Sequence, residues 1–180
     1  MSDTRSGFSS AEREAMKQRA AELKETKGVK GAAKRAKEYE ACLAAIEGLT
    51  GTDRQIAERL HVIVSEEAPD LAAKTWYGFP SYARDDKVVV FYQPAAKFDT
   101  RYGTVGFNQD AALDDGDLWA TAFAVLSVTD EVETTLRGLV KKASAFAHKV
   151  KHSPNADRTK SGIAADAAII LANMLRRLAE

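Results

Sequence analysis

The chain has a single cysteine, Cys42, in 180 residues, so no disulfide can close within it and no cysteine-based metal cluster can form from one copy. It has no net charge. Its 26 Lys and Arg balance 26 Asp and Glu, which removes any global field for drawing the molecule onto nucleic acid or anionic lipid. It also lacks an apolar run of the roughly 18 residues that a membrane span needs. The opening MSDTRSGFSS is polar and leads into charge-rich AEREAMKQRAAELKE, with no apolar stretch of the signal-peptide kind. No GxGxxG, P-loop, GxSxG or HExxH occurs, so the glycines and ligands that nucleotide folds, serine hydrolases and zinc proteases need are missing. These absences predict a reducing cytoplasm and a binding protein, not an enzyme of those classes.

What remains is an ordinary globular composition, 45% hydrophobic and 29% charged. A chain of this length buries roughly 70% of its unfolded surface around one core. Eleven of the fourteen aromatic residues fall between Trp76 and Phe123, while the flanks are rich in Ala, Leu, Lys, Glu and Arg. The pattern predicts helices on both sides of a sheet-forming centre.

Residues 10–26 read as a peripheral helix with only Met16 and Leu23 as large apolar side chains. Tyr39, Cys42, Leu43 and Ile46 mark a second helix ending at Gly48. Thr52 and Gln55 match a capping box for a third, whose stripe is Ile56, Leu60, Ile63 and Val64 and whose end precedes Pro69. The centre reads as strands over 74–83, 87–93, 98–107 and 120–128, with a break at Gly78 and a hairpin turn at RDDK. In KVVVFYQ both alternating sets are apolar, as expected of an interior strand. The connector NQDAALDDGD is expected to be exposed. Thr129 is the expected N-cap of a helix over 132–147, and a polar linker leads to a last amphipathic helix carrying Ile163, Ile170, Leu171, Met174 and Leu178. The expected architecture is α+β: an antiparallel sheet of about five strands with N- and C-terminal helices packed on it. Residues 1–150 form the domain, and 151–180 a linker and helix that packs on it or pairs two copies into a homodimer.

The order of elements in KTWYGFPSYARDDKVVVFYQPAAKFDTRYGTVGFN, followed by TAFAV and a helix, resembles the YdhG-like family of small bacterial cytosolic proteins over roughly residues 8–145. That resemblance implies helices on an antiparallel sheet, similar in outline to frataxin, and brings an iron chaperone forward as an alternative function with iron as the candidate metal. Frataxin-type iron binding uses carboxylates on the first helix. Here residues 24–37 instead carry Lys24, Lys27, Lys30, Lys34, Arg35 and Lys37 against Glu25.

Several residue sets are candidate sites. Trp76, Tyr77, Tyr82, Tyr92 and Tyr102, with Lys97, Arg101 or Lys74 at the rim, are expected to line a concavity for a small anionic or aromatic ligand. Asp114, Asp115 and Asp117, with Asp110, are hard oxygen ligands for a metal ion, although a solvated acidic loop explains them as well. Glu66, Glu67 and Asp70 form a second acidic group at a helix end. Cys42 beside His61 suggests an activated thiol, against the plainer reading of a buried thiol and a helix-edge histidine. His148 and His152 have helical metal-ligand spacing, interrupted by Pro154. A basic helix beside aromatic strands also raises a nucleic-acid or protein-binding helper domain as a further alternative.

Overall fold

The computed structural model describes residues 8–145. The chain divides into two units, Met1–Ala147 and His148–Glu180, and the description concerns the first. The linker, the expected last helix, His148 and His152 lie outside the described residues.

Helix α1 spans Ser10–Glu25 and opens with a capping box: Ser9 Oγ accepts from the Glu12 N–H at 3.1 Å, while the Glu12 carboxylate accepts from the Ser9 N–H at 2.6 Å. Only Ala15 is buried on it, in keeping with its charged circumference. Helix α2, Gly31–Glu47, turns Cys42 and Ile46 inward and ends at Gly48, which keeps right-handed angles (φ −71°). Helix α3, Gly51–Glu67, begins one residue before the expected Thr52 cap. Thr50 is its N-cap and makes no side-chain capping bond, so the Thr52 and Gln55 capping box does not form. Its stripe of Ile56, Leu60, Ile63 and Val64 is buried as the spacing predicts, and the helix ends before Pro69.

The sheet is an antiparallel five-strand meander in the order β1-β2-β3-β4-β5, with β1 Ala72–Trp76, β2 Phe79–Arg84, β3 Lys87–Gln93, β4 Gly103–Phe107 and β5 Ala122–Val125. Two-residue turns join the first three strands. Tyr77 and Gly78 (φ 54° and 74°) close one, and Asp85 and Asp86 (φ 49° and 66°) close the other. Left-handed angles at both central positions give the turn whose twist matches that of the strands. In β3 the pairs Tyr82↔Val90 and Ala83↔Val88 leave Val89 as the extra residue of a bulge. Alternation sends β3 side chains into both faces, the bulge shifts its parity so that Val88 and Phe91 lie on one side and Val90 and Tyr92 on the other, and every β3 residue after Lys87 is buried.

Two expected strands are shorter than predicted. The segment from Ala95 to Phe98 is a helical turn, α4, held by the Asp53 carboxylate, which accepts from the N–H groups of Ala95 and Ala96 at 2.9 Å each. β4 therefore starts only at Gly103. The connector after it is exposed from Asp114 to Asp117, but Ala111 and Leu113 are buried and the Ala112 N–H donates to Ala143 O. Helix α5, Asp130–Ser144, begins with Thr129 Oγ1 accepting from the Val132 N–H, as predicted. It is tied to α3 by Arg59 on Glu133 and by Arg137 on Glu66, Glu67 and Glu133.

The main core lies between one sheet face and helices α2, α3 and α5, and includes Cys42, Leu60, Ile63, Tyr82, Tyr92, Val105 and Val140. A second, aromatic cluster of Phe79, Val88 and Phe91, with Trp76, Tyr77 and Phe98 against it, lies apart from that core. Gly106 is required beside it: a Cβ there would lie 2.1 Å from the tip of the Phe91 ring across the strand pair.

Candidate ligand-binding site

The structure does not gather the aromatic residues singled out in the sequence into one concavity. Phe79 and Tyr82 are three apart on one strand, and side chains alternate along it, so they face opposite ways. Trp76 packs with Tyr77, Phe79 and Phe91 at centroid distances of 5.1, 5.8 and 5.2 Å, within the second cluster. Lys97 reaches that cluster, with its ammonium 5.8 Å from the Phe79 centroid while it donates to Tyr77 O at 2.9 Å. Tyr82 and Tyr92 point into the main core. Arg101 is exposed and lies over its neighbour Tyr102 at 5.4 Å. Lys74, expected at a rim, is instead buried in an ion pair with Glu38 at 2.9 Å.

A cleft forms elsewhere, and of the predicted aromatic set only Tyr82 lines it. Helix α2 contributes Arg35, Ala36 and Tyr39, and α3 contributes His61, Val64 and Ser65. The chain between α3 and β1 contributes Pro69 and Leu71, β1 contributes Ala72 and Ala73, and β2 contributes Tyr82. Its volume is about 430 Å³, within the range of small-molecule clefts. Arg35 and Tyr39 are four apart on α2, as are His61 and Ser65 on α3, so each pair shares a helix face. The His61 ring lies between two tyrosines, 5.9 Å from the centroids of both Tyr39 and Tyr82.

The electrostatics of this wall follow from burial. Tyr82 is almost wholly inaccessible, and desolvation pushes its phenol well above the usual tyrosine range, so the hydroxyl stays protonated. Burial also lowers the His61 pKa, which favours the neutral ring. Tyr82 Oη and His61 Nδ1 are 3.3 Å apart. If the hydroxyl accepted here, its own proton would be left in an apolar core. Donation to Nδ1 is the arrangement that gives the phenol proton an acceptor, and it places the imidazole proton on Nε2, which makes no hydrogen bond to a described residue.

The other candidates are placed differently. Asp114, Asp115 and Asp117 are exposed around Gly116, and among the described residues no three His, Cys, Asp or Glu side chains are grouped to hold a metal ion. Glu66 and Glu67 pair with Arg137, and Asp70 accepts from Arg84 at 2.9 Å. Cys42 is fully buried and its thiol is pushed up to about 11 by desolvation, the opposite of an activated nucleophile.

Tyr39, Arg35 and His61 were not expected at a shared site. Tyr39 reads as part of the α2 stripe and His61 as the edge of the α3 stripe. Only the packing of α2 beside α3 brings them together. No helix among the described residues is long and apolar enough to cross a membrane. Compared with known proteins, the chain matches no family model, no curated protein and no solved structure.

Proposed function

We propose that the chain is a YdhG-like binding protein that holds a small molecule in the cleft between α2, α3 and the β1–β2 hairpin. The observation that carries this reading is a cleft of about 430 Å³ whose walls are mainly apolar and whose polar side chains sit in two facing pairs, Arg35 and Tyr39 on α2 and His61 and Ser65 on α3. Apolar walls with a few converging donors are what small-molecule sites use to combine affinity with orientation. The high thiol pKa of Cys42 favours binding over nucleophilic catalysis at this position. The YdhG-like assignment rests on the residue order from KTWYGFPSY to TAFAV, and an α+β architecture of the kind that order implies supports it.

The test is a fragment panel of small aromatic and aliphatic compounds, followed by the NMR shifts of Tyr39 and His61. Ala36 is exposed and lines the cleft, so Ala36→Trp is expected to block it without disturbing the core. Fragments should move the two resonances in the wild type and leave them unmoved in the variant. Binding that Ala36→Trp does not weaken would place the site elsewhere and end this reading.

A further inference from the structure

We infer that the ligand of the α2–α3 cleft is a small monocarboxylate with a flat apolar body, recognised by the Arg35 guanidinium and the His61 Nε2–H. This inference rests on the cleft being a binding site. Its first support is a charge imbalance: the described residues lining the cleft include one arginine and no aspartate or glutamate. Arg35 is also set apart from its neighbours on α2. Lys34 is paired with Asp86 at 2.6 Å, and the Lys37 ammonium donates to Glu25 O at 3.2 Å. Arg35 makes no ion pair or hydrogen bond with any described residue. A guanidinium beside an apolar cleft, with no counterion among the described residues, suits an incoming anion, and its planar fork matches a carboxylate in two parallel bonds.

The second support is the tautomer of His61. With Nδ1 occupied by the Tyr82 hydroxyl, the ring offers a donor and no acceptor, which selects oxygen acceptors and discriminates against ligands presenting N–H groups. The third is the shape of the wall. Val64, Leu71 and Ala73 are buried apolar residues, while Tyr39 keeps nearly half of its surface (46%) open beside the imidazole, leaving a ring face for a flat body to cover.

Calorimetric titration with benzoate, benzamide, acetate and inorganic phosphate tests the inference on the full chain. Benzoate is expected to bind at least about tenfold more tightly than benzamide, which keeps the shape and loses the charge, and than acetate, which keeps the charge and loses the body. Arg35→Gln should reduce benzoate affinity about tenfold and leave benzamide unchanged, as the loss of one charge-assisted contact predicts. Arg35 is exposed, so an unchanged melting temperature would show that the variant folds normally. Equal binding of benzamide and benzoate, tighter binding of phosphate, or an Arg35→Gln variant with full benzoate affinity would overturn the carboxylate inference and leave the cleft as a binding site. Failure of benzoate to bind would likewise overturn the carboxylate inference, while the cleft itself stands or falls with the fragment panel and Ala36→Trp.

Discussion

Tyr82 and Tyr92 lie on neighbouring strands, face the same core and are equally inaccessible, yet their hydroxyls have opposite surroundings. The Tyr92 hydroxyl donates at 2.5 Å to Asp53, whose carboxylate also accepts from two backbone N–H groups at the start of α4. That carboxylate is fully engaged in joining α3, β3 and α4, and burial together with its charge pushes the Tyr92 phenol far up. The Tyr82 hydroxyl donates to a half-buried imidazole that has a second nitrogen to spare. At the start of α3 the polar groups close upon one another at Asp53; about two turns along the same helix, at His61, a donor is left at a cleft wall. The difference separates a polar group used to fix the fold from one available for recognition.

Removing the closed group should have the largest effect. Asp53→Ala strips a buried hydroxyl and two backbone donors of their acceptor and is expected to lower unfolding stability by about 3 kcal/mol in urea denaturation. Tyr92→Phe keeps the two backbone bonds and should lose only about 1–2 kcal/mol. If Asp53→Ala loses less than Tyr92→Phe, Asp53 does not organise the β3–α4 junction. Tyr82→Phe should be milder, at about 1 kcal/mol or less, because water can reach the half-buried His61 Nδ1 in place of the hydroxyl. Its main consequence falls on the cleft, where the imidazole loses its fixed tautomer. A Tyr82→Phe variant as unstable as Asp53→Ala would erase the distinction between the two groups.

The apolar framework was easier to anticipate from sequence than either polar group. Apolar spacing located α2 and α3, the Thr129 cap located the start of α5, and apolar residues in both alternating sets of KVVVFYQ marked β3 as interior, because burial leaves a direct imprint on residue type. The Asp85–Asp86 turn and the break at Gly78 were legible for the same local reason. The start of β4 was not. Asp53 fixes α4 from 42 and 43 residues away, and nothing near Pro94 signals the helical turn that moves the start of that strand from residue 98 to Gly103. The cleft was hidden more deeply. Its residues come from four elements and the connector between α3 and β1, and aromatic content drew attention to Trp76 and Tyr77, whose rings pack on each other and on Phe79. A strand-parity count would have separated Tyr82 from that cluster. No count would have placed Arg35 beside it.

The smallest expected effect concerns pH. His61 has a folded pKa below its ordinary 6.5, with burial as the cause, and Tyr39, Tyr82 and Arg35, which line the same cleft, supply no negative charge to oppose that shift. Between the folded and unfolded values the unfolded chain binds more protons, so unfolding free energy must rise with pH across that window. Equivalently, stability is lost as pH falls from 6.5 to the folded value, and this group adds no further loss below it. Denaturation of the wild type and of His61→Gln between about pH 7.5 and 5 should show that slope in the first and its absence in the second. An NMR titration placing His61 at or above 6.5 would remove the basis for a neutral donor at the cleft. Saturating benzoate should weaken the slope, since a bound carboxylate favours the imidazolium. A slope indifferent to benzoate would show that the anion lies away from His61, even if Arg35 holds it.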